Sequence, residues 1–311
     1  MISFSSNDTE QANLVLARHI PGGDPSVLLA GHLDDLKDRR SGRNDDAGIV
    51  SFLFSTAADY AAVAIAGRIV NGNAAHMTDL LRVSSRFSYL YYASDAHRVS
   101  GEDAYVHIFP LLKMIASGDL EAVEKTAALF SLPVEKGHPD TVLLCNSVYA
   151  LLGKLKDPSS VLSKLPDKRS TKFFSGMYRC IDAAAQRNEA GFLEGIRELL
   201  KGNARQSSHS VMENLVCIEA HAMAGLWKIR NGSFPAALSS LGLPWDRDFH
   251  EAVQSASKGI RADFSPVSPV LQRWLTLLPE TADADELIEE LKEGFFKRFA
   301  RIMNGGWRNS K

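Results

Sequence analysis

The stretch between Pro25 and Pro110 contains no proline, and it includes the most apolar segment of the chain. Proline inside an α-helix costs about 3 kcal/mol, so a stretch of this length without proline favours extended helices. Its apolar residues do not alternate with polar residues at the period of two that is typical of β-strands. This part of the chain is therefore predicted to be helical.

Two long helices are expected here. Asp46 can cap the first, over 47–69, and Asn71-Gly72 can end it through a left-handed residue. The second covers about 74–99. The segment 48–69 is interrupted by Asp59 and contains several hydroxyl side chains, so it falls short of the ~20 apolar residues that a membrane span needs. We expect a buried helix and no membrane association.

After residue 100 the pattern changes to shorter helices that pair through tight turns. Apolar residues recur at spacings of three and four, which places them on one helix face. These signals predict an all-α fold, an irregular multi-helix bundle built from antiparallel helical hairpins. One all-helical domain over 1–311 is expected. Within it, a separate N-terminal subregion at 1–80 is an open alternative, followed by a body of helical hairpins at 80–311. The expected helices are 102–116, 120–130, 140–155, 158–165, 170–187, 191–201, 207–230, 246–258, 269–278 and one from 284.

Composition narrows the function classes. The 311 residues include 35 Lys and Arg against 37 Asp and Glu, a net charge of −2, so no general basic field recruits nucleic acid. The N-terminus has neither a basic start nor a continuous apolar stretch, which predicts a cytoplasmic protein without a signal peptide. Cys145, Cys180 and Cys217 each lie in an apolar helical pattern and are expected to be reduced core thiols.

The common phosphate-loop, dinucleotide, serine-nucleophile and zinc motifs are absent from the sequence. One polar cluster superficially resembles a metal site, because imidazole and carboxylate ligands close in sequence can hold a hard divalent ion. Interleaved basic residues favour a solvated, charge-compensated helix end instead. A protein-contact surface is the third interpretation. The acidic and imidazole members are His32, Asp34, Asp35, Asp38, Asp45 and Asp46, and the basic members are Lys37, Arg39, Arg40 and Arg43.

Other chemistry-bearing residues have structural explanations. Glu219 and His221 are two positions apart on one predicted helix, so their side chains point in different directions. His107 lies between apolar neighbours and is expected in the core. The tyrosines at 89, 91 and 92 lack interleaved basic residues, which favours core or groove lining over a nucleic-acid stacking platform.

The segment 242–248 places a tryptophan beside alternating charges. Trp245 with Asp246 and Asp248 is typical of an exposed binding hot spot, although Trp245 can also staple the following helix.

The order of these helices and their residue pattern resemble those of the immunity protein 49 family of bacterial polymorphic-toxin and type VI secretion systems. The likeness covers about 80–249 and is carried by residues 115–122, Ile-Ala-Ser-Gly-Asp-Leu-Glu-Ala, and 219–226, Glu-Ala-His-Ala-Met-Ala-Gly-Leu, followed by Leu243-Pro244. The resemblance implies an all-α protein that neutralises a toxin encoded beside it by binding it. It implies no catalytic residues.

The leading hypothesis is therefore an immunity protein, not an enzyme, with no cofactor and a cognate toxin as its partner. It would block a toxin that acts in the cytoplasm, for instance a nuclease, by steric occlusion; homodimerisation stays open. A helical adaptor or effector chaperone that binds without inhibiting is the alternative, and a metal-dependent hydrolase using the 32–46 cluster is a third. The expected partner-binding residues are Asp34, Asp35, Asp45, Asp46, Trp245, Asp246 and Asp248.

Overall fold

The computed structural model describes residues 4–39, 46–94, 103–130, 132–165, 171–203, 205, 211–242, 244–256, 258–283 and 285–291, and within these ranges it contains helices and no strand. The all-α prediction is confirmed. A 3₁₀ turn, Ala236–Ser240, precedes the α-helix that begins at Arg247. The α-helices are α1 (Ser6–His19), α2 (Pro25–Arg39), α3 (Asp46–Asn71), α4 (Ala74–Ala93), α5 (Ala104–Ala116), α6 (Leu120–Leu129), α7 (Pro139–Leu151), α8 (Ser159–Leu162), α9 (Lys172–Gln186), α10 (Glu189–Asn203), α11 (Val211–Leu215), α12 (Ile218–Asn231), α13 (Arg247–Ser255), α14 (Pro269–Leu277) and α15 (285–291).

The two long helices α3 and α4 form the centre of the fold. They pack along each other as a hairpin, with α1 and α2 against α3, and with α5, α6, α13 and α14 against α4. All described side chains of α4 from Leu80 to Ala93 are buried, because other helices cover this helix on every side. Gly72 ends α3 in the left-handed conformation, as the sequence predicts (φ 67°).

One helix in the described part of the chain, Gly48–Asn71, is long and apolar enough to cross a membrane by length and composition. Within the most apolar 18-residue segment of this helix, 61% is buried inside the protein. Such burial is typical of a core helix, and it agrees with the predicted buried segment at 48–69.

Aspartate side chains cap three of the helices that surround the centre. Asp103, Asp119 and Asp246 each occupy the N-cap position and accept a hydrogen bond from a backbone N–H in the first turn. Such a cap satisfies a donor that the helix itself leaves without a partner. At Asp119 the sequence itself predicts a cap, because Gly118 can stop one helix and Asp119 can begin the next, and the structure confirms it.

The structure corrects several predicted boundaries. The helix expected over 207–230 is divided, within its described part, into α11 and α12, because the backbone N–H of Cys217 donates to the carbonyl of Pro244 (2.9 Å) rather than to a helical partner. The second long helix ends at Ala93, not at 99. Pro110, which is expected to kink or divide the helix over 102–116, lies inside the undivided α5.

The helices α9 and α10 form a closely packed hairpin. Its small residues let the two backbones approach, and a Cβ atom at Gly176 would lie 2.4 Å from the backbone nitrogen of Leu199. A Cβ atom at Gly202 would lie 2.4 Å from the backbone nitrogen of Phe173. Glycine is therefore required at both crossing points.

Candidate functional site

A groove opens where α3, α4, α5, α11 and α12 meet. Its volume is about 260 Å³, and its walls are mainly aromatic and aliphatic side chains. We call it the aromatic groove, defined by five rings, two carboxylates and one ammonium group. These members are Phe54, Tyr91, Tyr92, Tyr105, Phe109, Glu213, Glu219 and Lys113.

Two aromatic side chains at the groove are half exposed. Phe54 of α3 is 50% exposed and Tyr105 of α5 is 53% exposed. Each lies against a second ring of the groove: Phe54 against Tyr91, with ring centroids 5.5 Å apart, and Tyr105 against Phe109 at 5.1 Å. Rings held by neighbouring rings lose little side-chain freedom on binding a ligand, which favours them as contact residues.

Pro110 fixes the inner wall of the groove. Proline lacks a backbone N–H, so the carbonyl of Val106, one turn earlier in α5, loses its helical donor. The hydroxyl of Tyr92 in α4 donates to this carbonyl instead (2.8 Å). This hydrogen bond holds the ring of Tyr92 in the groove wall. It also supplies the Val106 carbonyl with a donor, so Pro110 does not leave that acceptor of α5 unsatisfied.

The hydrogen bond of Tyr92 predicts different effects of the same substitution at two buried tyrosines. Tyr92→Phe removes the donor to Val106 and is expected to lower the free energy of unfolding by about 1–2 kcal/mol. Tyr149 is equally buried, but its hydroxyl has no hydrogen-bond partner among the described residues. Tyr149→Phe is therefore expected to be neutral or stabilising by up to about 1 kcal/mol. Urea unfolding of both variants checks the pair, and equal losses would contradict the explanation.

The polar groups of the groove are rich in acceptors. The Lys113 ammonium lies 3.5 Å from a carboxylate oxygen of Glu213, so its charge is already balanced. Glu219, at the start of α12, is 7% exposed and adds a second carboxylate to the lining. The hydroxyls of Ser84 and Ser88 both donate to backbone carbonyls.

The structure places Trp245 and Asp246 in the interior, which corrects the expected exposed loop. Both residues are 0% exposed. Asp246 forms a two-pronged ion pair with Arg68 of α3, at 2.6 and 2.9 Å, and Arg68 also donates to the half-buried Asp248. Trp245 stacks on His221 with centroids 4.1 Å apart. Trp245 and Asp246 therefore hold the fold together and are not available to a partner.

The histidines beside Trp245 are neutral. Burial lowers the pKa of His221 well below its usual value, and the nearby His250 lowers it further. Burial and the charge of Lys228 lower the pKa of His250 to about 4. For Arg68, burial alone lowers the pKa, but hydrogen bonds and charges of Asp246 and Asp248 raise it overall. The Arg68 guanidinium is thus a charged core group, and both imidazoles are uncharged at pH 7.

The remaining predicted contact residues lie on another part of the fold. Asp34 and Asp35 are exposed on α2, whereas Asp45 and the side chain of Asp46 fall outside the described residues. The Nε2 of His32 lies 2.9 Å from a carboxylate oxygen of Asp59 in α3. Among the described residues, no group of three or more His, Cys, Asp or Glu side chains could hold a metal ion.

Other sequence-based interpretations are confirmed. The three cysteines are free and buried, and burial raises the pKa of all three thiols, to about 12 for Cys145. Protonated thiols are poor nucleophiles at neutral pH. His107 is buried, between the rings of Tyr92 and Phe130. Glu219 and His221 contact different places, the groove and Trp245.

Sequence reasoning found only part of the groove. The sequence predicted that Tyr91 and Tyr92 line the core or a groove. It placed Phe54 in a buried helix, and no sequence signal singled out Tyr105. The available signal was Pro110 inside an apolar helix, because an interior proline marks a backbone carbonyl that needs an outside donor. The partner of that carbonyl lies on another helix and is visible only in the folded chain.

Comparison with known protein families, with characterised proteins and with solved structures finds no match to this chain. Its function must therefore be inferred from the aromatic groove and the surfaces around it.

Proposed function

We propose that this protein binds another protein through the aromatic groove and thereby neutralises it, as an immunity protein neutralises a toxin. The observation that carries the proposal is the pair of half-exposed rings, Phe54 and Tyr105, beside a cavity of about 260 Å³. Aromatic side chains around a central pocket are the usual hot spots of protein interfaces.

The position of the groove supports a rigid binding surface. Two of its walls are α3 and α4, the long helices in the centre of the fold, and the Tyr92 hydrogen bond ties α4 to α5. A preformed surface of this kind loses little entropy when a partner binds. If a segment of the partner inserts here, the rest of the partner lies over the rim of the groove. In that position the partner can be kept away from its own substrate.

The partner is expected to be a cytoplasm-acting toxin encoded by the neighbouring gene, in keeping with the immunity-family resemblance of 80–249. Inhibition then follows from occlusion and needs no turnover by this chain. A helical adaptor differs in one measurable respect, because its partner stays active in the complex.

The test is co-expression of the neighbouring gene with wild-type chain or with the double variant Phe54→Ala/Tyr105→Ala. The wild type should restore growth and co-purify with the toxin. The double variant should keep its fold and lose about 100-fold or more in affinity, as expected when two aromatic hot spots are truncated. The matched control is Leu14→Ala/Leu277→Ala, which removes two side chains that are each 59% exposed and do not line the groove.

Three outcomes would overturn the proposal. They are no complex with the wild-type chain, full affinity in the groove variant, and full toxin activity within the complex. Circular dichroism and urea unfolding of each variant confirm that lost binding does not reflect lost folding.

A further inference from the structure

We infer that the aromatic groove takes up an uncharged apolar side chain of the partner, which passes the rings of Phe54 and Tyr105 and anchors the complex. This inference rests on the proposed function for the source of the side chain, whereas its chemistry follows from the groove alone. The competing occupants are a cationic side chain, an anionic side chain and a small-molecule cofactor.

Three helices supply one face each to the groove. α3 and α5 both pack against α4, and the lining residues of α4 recur at spacings of four, three and one, which places them on one helix face. This face is buried and forms the floor, whereas the half-exposed rings of Phe54 and Tyr105 stand at the rim. A side chain can therefore reach the floor while the backbone that carries it stays at the rim, in contact with water. The floor residues are Ser84, Ser88, Tyr91 and Tyr92.

The size of the groove suits a side chain better than a cofactor. Pockets that enclose small-molecule ligands usually have volumes of about 300–1,000 Å³. The volume of this groove, about 260 Å³, lies below that range. On the α3 side the lining includes Ala57 and Ala58, whose short side chains leave room for an entering group. A single anchor side chain is therefore the occupant that the groove can enclose.

The charged groups of the described lining already have partners within the protein. The Lys113 ammonium lies 3.5 Å from a carboxylate oxygen of Glu213. A carboxylate oxygen of Glu219 lies 3.9 Å from the thiol sulfur of Cys217, and both glutamates interact with further groups of the chain. A charged ligand would thus give up its water without meeting an unpaired counter-ion in the described lining, which is costly. An uncharged side chain avoids this penalty.

The hydroxyl groups of the floor are likewise engaged. Ser84 donates to the carbonyl of Ala57, Ser88 to that of Ser84, and Tyr92 to that of Val106. These three protons are used inside the protein, so they are not available to an anionic ligand such as a carboxylate side chain.

The rings of the lining offer the contacts that an apolar occupant needs. Phe54 and Tyr91 are tilted by 56°, and Tyr91 and Tyr92 by 68°. Aromatic groups prefer tilted, edge-to-face contacts to flat face-to-face stacking. Walls tilted in this way present both ring faces and ring edges to an entering aromatic or aliphatic group.

The test compares three small molecules of similar size on the full-length protein. Toluene is neutral, benzylammonium is cationic and benzoate is anionic at neutral pH. Binding is followed by NMR shifts of the groove residues at low ionic strength, where charge recognition is least screened and the two ions have their best chance. We expect toluene to bind about tenfold or more tightly than either ion, because only the ions must be desolvated as charges.

A variant that fills the groove locates the binding. Ala58 is an exposed position of α3 that lines the groove, so Ala58→Phe adds a ring there without disturbing the core. It should lower toluene affinity about tenfold or more and weaken the complex with the toxin. Ala190→Phe is the matched control, because Ala190 is an exposed position of α10 outside the described lining. It should change neither affinity.

Binding of either ion as tight as that of toluene, no detectable binding of toluene, or unchanged toluene affinity in Ala58→Phe would overturn the inference. The proposed function is tested separately, by the complex with the toxin and its loss in Phe54→Ala/Tyr105→Ala. A complex that needs Phe54 and Tyr105, together with a groove that prefers an ion to toluene, would leave the proposed function standing and show that the anchor is charged.

Discussion

Replacing Asp246 with alanine is expected to lower the free energy of unfolding by about 3–5 kcal/mol, the cost of removing one partner from a buried ion pair. Asp246 and Arg68 are both nearly inaccessible, and the pair is joined by two hydrogen bonds at 2.6 and 2.9 Å. Without the carboxylate, the partners left to the guanidinium among the described residues are the carbonyl of Gly72 and the half-buried Asp248. The substitution also removes the N-cap of α13.

The control for this prediction is Asp103→Ala. Asp103 caps α5 in the same way, through the backbone N–H of Tyr105 (2.8 Å), and forms no ion pair with an arginine among the described residues. Its loss should cost only the cap, about 1 kcal/mol. Urea unfolding measures both variants. A loss for Asp246→Ala no larger than that for Asp103→Ala would show that the buried pair contributes nothing beyond the cap.

The second large effect is expected at the crossing of α9 and α10. Gly176→Ala places a methyl group 2.4 Å from the nitrogen and 2.7 Å from the Cα of Leu199, and backbone atoms cannot move aside as a flexible side chain can. The helices must separate, at a cost of about 3 kcal/mol in overpacking. Alanine regains up to about 1 kcal/mol through its higher helix propensity, which leaves a net loss of roughly 2 kcal/mol.

Gly31→Ala is the matched control, with the opposite sign. Gly31 lies inside α2, and a Cβ atom there would have no neighbour within 4 Å. The substitution should stabilise the protein by about 0.5–1 kcal/mol, because only the propensity changes. Thermal unfolding of the two variants gives the comparison; a stabilised Gly176→Ala would mean that the helices do not approach this closely.

Local signals explain why the fold class could be predicted. Proline spacing, the cap at Asp119 and the left-handed end at Gly72 each depend on a few neighbouring residues, which the sequence displays directly. The division of α11 from α12 could not be predicted, since it depends on a hydrogen bond from Cys217 to Pro244 in a distant segment.

The candidate site was harder to predict from the sequence than the fold class, because it too depends on contacts between distant segments. Trp245 and Asp246 are residue types that are typical of an exposed hot spot. In the fold, however, Asp246 forms a buried ion pair with Arg68, which lies 178 positions away in the sequence. Conversely, Phe54 has the pattern of a core residue and is half exposed. Exposure depends on which helices pack on which faces, and periodicity within one helix does not determine that. Asp34 and Asp35 remain exposed, and their role in partner binding stays a prediction.

Hydroxyl-radical footprinting of the protein alone and in complex with the neighbouring gene product measures the solvent exposure of individual side chains, and so shows whether the partner covers the aromatic groove. We expect the oxidation of Phe54 and Tyr105 to fall several-fold in the complex and that of Leu277 to stay unchanged. Unchanged oxidation of Phe54 and Tyr105, with protection on another surface such as α2, would contradict this expectation.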